Sequence, residues 1–271
     1  RPEIHALKRH ESQQASAANI YSLIQGSTIR ESHRRGDGIV QDMYSMRCMP
    51  QVHGACRESL KFAGEQLIRE ANSVSDNPLV FADSGQVISA GHFHGEATAL
   101  ACDLAAIAAT ELGNISERRL FALLAGHGGL PAFLAPQPGL NSGFMMIQVT
   151  AAALASENKT LAHPASVDTI PMSDDQEDHV PMSAWAARKL LQVVANLEQI
   201  LGLEYLAAVQ AVDFHEELEA GHGASAAQKL LRDKYAFVEA DRSLAEDIAG
   251  ARDLIASGAV VEAVEQVVAL G

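Results

Sequence analysis

Two stretches of this sequence leave almost no polar side to a helix. Residues Glu96–Leu112, EATALACDLAAIAATEL, carry Ala, Leu and Ile around the whole circumference, and Asp103 is one of few interruptions. A second stretch, from about Ser142 to Ser156, reads the same way. A helix that is apolar all round has to be covered all round. It therefore belongs at the centre of a bundle or beneath neighbouring subunits. The expected fold class is all-α, a long-helix bundle with irregular loops. With 271 residues, 48% of them hydrophobic, the chain can bury a core. No internal repeat or convincing boundary interrupts it, so residues 1–271 are read as a single mainly helical region. No run approaches the ~18 uninterrupted apolar residues of a membrane span.

Around these stretches, hydrophobic spacing predicts a helix over residues 3–35, with Ala17, Ile20, Leu23 and Ile24 on one buried face and a turn at Gly26–Thr28. Ser32–Gly38 reads as an exposed basic loop. A helix follows from Val52 to about Asn72, with Leu60, Ala63, Leu67 and Ile68 on one face. Asx, Pro and Gly chemistry then predicts a loop with one small hairpin around Val80 and Val87. Gly113-Asn114 should end the first apolar helix, leaving Ser116 to cap the next. Ser183–Phe214 reads as one long helix. Two shorter ones are expected around Ser225–Glu239 and Asp241–Leu270, the latter broken at Ser257-Gly258.

Charge narrows the function. Twenty Lys and Arg against 34 Asp and Glu give a net charge of −14, which argues against nucleic acid or anionic lipid as a partner. Three cysteines, without a CxxC pair, point to a reducing, cytoplasmic compartment. The opening RPEIHALKRHESQQ has no apolar core of the kind a signal peptide needs.

Chemistry concentrates in three places. Ser156–Lys189, SENKTLAHPASVDTIPMSDDQEDHVPMSAWAARK, sets Asp174, Asp175, Glu177, Asp178, His163 and His179 among Pro164, Pro171 and Pro181. Acids and imidazoles beside proline corners suggest a rigid polar site, although a solvated acidic loop has the same composition. Val40–Gly54, VQDMYSMRCMPQVHG, spaces Gln41, Tyr44 and Arg47 three apart. A helical turn, ended or kinked by Pro50, would put amide, phenol and guanidinium on one side; a plain surface stripe would look the same. His92-Phe93-His94 raises a metal site joined by His53, His163 or His179, but no established zinc spacing is present. The alternative is that Phe93 is functional and the histidines are hydrogen-bonded packing.

Together the SENK, HPASVD and QEDHV runs, with VQDMYSMR, SVSDNPLV and GNISERR, resemble the histidine ammonia-lyases of the aromatic amino-acid ammonia-lyase and aminomutase family. Pro181 stands where the family usually has Ser, Met43 where it has a small residue or Pro, and His92 where it commonly has Asn. The resemblance implies elimination of ammonia from L-histidine to give trans-urocanate. It also implies a homotetramer of long helices whose active sites draw on more than one subunit. Arg47 would grip the substrate carboxylate, with Gln41 and Tyr44 lining the reaction site and Phe93 packing near the prosthetic group. Glu177 would meet the imidazole, provided that partial burial keeps it near the required protonation state. A carboxylate there matches an imidazole N–H and suits a phenyl ring poorly.

The family's electrophile, 4-methylideneimidazol-5-one (MIO), forms from an internal Ala-Ser-Gly. Ala256-Ser257-Gly258 has that sequence but sits in LIASGAVVEAV, where Gly258 reads as a helix stop. The resemblance covers the C-terminal half of the family's pattern. The precursor and the catalytic tyrosine are therefore expected in an N-terminal half, without which this chain is expected to be inactive. Competing readings are a tyrosine or phenylalanine lyase or aminomutase, a non-catalytic assembly subunit, and a metal-dependent hydrolase.

Overall fold

The computed structural model describes residues 1–34, 38 and 40–271. Part of the basic Ser32–Gly38 run thus lies outside the described residues. The helices are α1 (Pro2–His5), α2 (Glu11–Leu23), α3 (Thr28–Ser32), α4 (Tyr44–Arg47) and α5 (Met49–Ala71). Strands β1 (Leu79–Phe81) and β2 (Gln86–Ile88) precede α6 (Glu96–Leu124), α7 (Met145–Leu161) and α8 (Ser183–Asp213). Helices α9 (His222–Arg232), α10 (Ala245–Ala256) and α11 (Ala259–Glu265) close the sequence. The all-α expectation holds, and among the described residues no helix is long and apolar enough to cross a membrane.

Contacts gather the chain into two compact units, each discontinuous in sequence. The first comprises Arg1–Ala55, Glu111–Glu157 and Ala195–Gly271. Its core joins Leu120 of α6, Phe144 and Ile147 around the start of α7, Ile200, Leu203 and Leu206 of α8, and Leu231 of α9. A buried polar tie accompanies this core. Gln210 accepts from Val238 N at 3.1 Å and donates to Val238 O at 3.0 Å, so neither side-chain atom is orphaned. The second unit comprises Cys56–Thr110 and Asn158–Val194. Small residues let its helices approach: Ala63, Ala101 and Ala105 form one cluster, and Cys102, Ala165 and Ala186 another. The small hairpin expected around Val80 and Val87 is present and pairs these two residues.

Several elements depart from the sequence expectation. The 3–35 helix is three short ones, stopped in part at Gly26, whose φ of 79° is left-handed. Ile24 is exposed, as are Leu60 and Ile68 on α5; Ala63 is the residue of that face that is fully buried. Helix α6 runs unbroken through Gly113-Asn114. Ser116 is wholly buried and donates to Glu204 Oε2 at 2.5 Å instead of capping a new helix. A mid-helix glycine costs only ~1 kcal/mol, which burial of the surrounding turns offsets. Helix α7 begins later and reaches Leu161, so the SENK residues lie on its last turns, with Asn158 fully buried. Helix α8 matches its expected span closely. The helix expected to reach Glu239 stops at Arg232.

Candidate active site

In the first unit Met43 is extended (φ −60°, ψ 154°) and α4 opens directly after it. Tyr44 and Arg47 are one turn apart, and the guanidinium carbon lies 4.8 Å from the phenol ring centroid. Stacking of this kind orients a guanidinium without neutralising it. Both side chains are exposed, and among the described residues Arg47 forms no ion pair. That sets it apart from Arg119, Arg232, Arg242 and Arg252, which hold Glu204, Asp213, Asp247 and Glu198. An unpaired planar fork can take a carboxylate through two parallel hydrogen bonds. Gln41 lies in the exposed bend before α4, so the three-residue stripe survives on the helix as two residues. Pro50 falls in the first turn of α5, where its missing N–H is harmless, and opens that helix rather than ending α4.

Behind this segment, Arg119 of α6 donates to Glu204 of α8 from Nε at 2.5 Å and from Nη2 at 2.9 Å. Its Nη1 lies 3.2 Å from His53 Nε2 on α5. Sequence spacing gave no sign of this network, because its members are 66 and 85 residues apart.

In the second unit the loop between α7 and α8 is pinned at its root. Asp103 of α6 faces Lys189 of α8 at 3.3 Å, with both side chains about 5% exposed or less. Asp103 also accepts from Ser166 N at 2.7 Å, and Lys189 donates to the carbonyl of His163. The acid that interrupts the middle of an apolar stretch thus anchors the HPASVD turn. Further along, Thr169 Oγ1 accepts from Val180 N at 2.8 Å and closes the loop. Inside it, Met172 and Glu177 exchange backbone hydrogen bonds at 2.9 and 3.2 Å. The turn between them passes through Ser173, Asp174 and Asp175, all left-handed (φ 52°, 55° and 64°). Ser173 Oγ donates to Glu177 Oε2 at 2.6 Å. Glu177 is exposed, so the partial burial asked of it is not provided by this chain's own residues.

Phe93 is 57% exposed in the bend before α6. Next to it, His94 Nε2 lies 3.0 Å from the carbonyl of His179, and the two imidazoles stack at 5.6 Å, 5° from parallel. These histidines are hydrogen-bonded packing that joins the bend carrying Phe93 to the loop carrying Glu177. Among the described residues no group of three His, Cys, Asp or Glu is arranged to hold a metal. Gln41, Tyr44 and Arg47 thus belong to one unit, and Phe93 and Glu177 to the other.

Ala256-Ser257-Gly258 does not fit an MIO precursor. Ala256 ends α10, Ser257 N donates to Asp253 O and Gly258 N to Ile255 O, both at 3.0 Å. Gly258, at φ 79°, turns the chain into α11. The glycine nitrogen that would have to attack the alanine carbonyl is committed to a helix stop.

One unit thus presents an aromatic-backed guanidinium without an ion pair among the described residues, and the other a carboxylate loop pinned by buried charges. The family model for aromatic amino acid lyases matches residues 1–233, and the chain belongs to that family. Histidine ammonia-lyase from Trypanosoma cruzi is 42% identical over 99% of this chain and 50% of its own, with a TM-score of 0.90. Tyrosine aminomutase from Streptomyces globisporus is 34% identical over 100% and 55%, with a TM-score of 0.91. Phenylalanine aminomutase from Pantoea agglomerans is 28% identical over 93% and 53%, with a TM-score of 0.84. The chain spans about half the length of these structures.

Proposed function

We propose that this chain supplies the substrate-gripping part of a histidine ammonia-lyase, which eliminates ammonia from L-histidine to give trans-urocanate. One observation carries the reading: Arg47 is exposed, free of any ion pair among the described residues, and held over Tyr44 at 4.8 Å. Its guanidinium binds the substrate carboxylate. Tyr44 and Gln41 donate hydrogen bonds as charge moves in the transition state. Glu177, steadied by Ser173, accepts from the substrate imidazole N–H and selects for it. Phe93 offers an apolar face beside the prosthetic group. An N-terminal half would contribute MIO, and the chemistry that it would supply is an electrophile for the substrate amine. The chain by itself does not turn over substrate.

Its partners in this reading are that N-terminal half and further copies of itself, in a homotetramer within the cytoplasm. Exposed apolar side chains on the otherwise buried helices support assembly: Leu100 and Ile107 on α6, Met146 and Val149 on α7, Leu191 on α8. In this reading a neighbouring copy also gives Glu177 the burial that its own chain does not provide. Cys48, Cys56 and Cys102, none of them in a disulfide among the described residues, suit a reducing compartment.

Co-expression with an N-terminal half, followed by urocanate absorbance on L-histidine, tests the assignment. No product from an assembled protein with Arg47 and Glu177 intact would leave an assembly subunit. The 34% identity to a tyrosine aminomutase favours one second reading, an aminomutase acting on an aromatic amino acid. A β-amino acid product from tyrosine or phenylalanine, without urocanate from histidine, would select it.

A further inference from the structure

His53 lies six residues beyond Arg47, near the start of α5, and is half-buried. Its Nε2 is 3.2 Å from Arg119 Nη1. A guanidinium only donates, so Nε2 is the acceptor and the ring is neutral, with its proton on Nδ1. Arg119 has little freedom to point elsewhere. Two of its nitrogens are taken by Glu204, whose Oε2 also accepts from Ser116 at 2.5 Å. The neighbouring residue supplies a second clamp. A Cβ on Gly54 would lie 2.5 Å from Gln13 Cα, so the backbone of α5 rests directly on α2. A single residue, Cys48, separates α4 from α5. Cys48 N donates to Tyr44 O at 2.9 Å and Val52 N to Cys48 O at 3.1 Å, so the two helices meet without slack. Whatever fixes the first turns of α5 therefore fixes the turn that displays Tyr44 and Arg47.

We propose that His53 is a positioning residue for Arg47: as a neutral acceptor it locks the α4–α5 junction to the Arg119–Glu204 pair, and its protonation releases the junction and weakens the grip on the substrate carboxylate. The substrate in this statement rests on the lyase reading; the lock does not. The charged groups acting on the imidazole are Arg119 from α6 and Glu204 from α8. Burial first, and then the Arg119 charge, hold the imidazole below its ordinary value of 6.5, against an opposing pull from Glu204. The neutral, locked state therefore prevails at neutral pH, and the lock opens on acidification.

The test uses the chain assembled with an N-terminal half, as wild type, His53→Gln and His53→Ala. Glutamine places a non-titrating oxygen near the position of Nε2. Between about pH 8 and about pH 5.5, KM for L-histidine should rise about tenfold more in the wild type than in His53→Gln, with kcat moving much less. Substrate titration affects both proteins alike. His53→Ala should have a raised KM at both pH values. An equal KM rise in wild type and His53→Gln, or a loss confined to kcat, would overturn the proposal. Melting temperature gives a readout without turnover: acidification should lower it by several degrees more in the wild type than in His53→Gln. If no amino acid is turned over, the lyase reading fails and melting alone judges the lock; equal losses in the two proteins would sink it.

Discussion

Arg47 keeps its charge available because no acid among the described residues claims it and Tyr44 orients it without neutralising it. Lysine offers a point charge in place of a planar fork. Arg47→Lys in the assembled enzyme should therefore lower kcat/KM for L-histidine by roughly a hundredfold, mainly through KM. Glu177→Gln keeps shape but removes the charge that the proposed function sets against the substrate imidazole. The preference for histidine over phenylalanine or tyrosine should fall roughly 10- to 100-fold, measured as a ratio of kcat/KM values. Three-residue spacing made Tyr44 and Arg47 legible, since one helical turn separates them. It misplaced Gln41, because periodicity does not mark where a short helix begins. Ser173 was invisible for a different reason: its hydroxyl reaches Glu177 through a left-handed turn that no composition rule anticipates.

Helix α5 lies on α2 through Gly54, where an added methyl would strike Gln13 backbone at 2.5 Å. Backbone cannot swing aside as a side chain can. Gly54→Ala should destabilise the protein by roughly 1–3 kcal/mol in urea unfolding. Helices α6 and α8 hold the root of the carboxylate loop through Asp103 and Lys189, both buried. Lys189→Met would leave a buried carboxylate without its counter-ion. The expected loss is roughly 3–5 kcal/mol, again by urea unfolding, because the stranded charge costs more than the pair contributes. Apolar periodicity had located α8 within a residue. Turn chemistry erred at Gly113-Asn114, where local preference for a break yields to burial on both sides.

At the scale of the whole molecule, acid acts through His53. Its folded-state value lies below the ordinary 6.5, so the unfolded chain binds the proton more readily. The stability it contributes is complete above pH 6.5 and is lost as pH falls through the folded-state value. Denaturant midpoints should accordingly drop below pH 6.5 in the wild type and less so in His53→Gln. Apolar side chains are exposed on α6, α7 and α8, and the proposed homotetramer would cover them. Light scattering on the assembled protein should return four copies, and the chain alone should form no urocanate.

Hydrophobic periodicity by itself determined that this chain is helical, and glycine and Asx chemistry placed the small hairpin and the stop at Gly258, because both signals are local. Which flank of each helix is covered, that α6 continues through a glycine, and that Ser116, Arg119 and Glu204 close on one another were decided only by tertiary structure. Those outcomes depend on partners up to 88 residues away in sequence, and burial energy is set by what arrives opposite a side chain rather than by its neighbours along the chain.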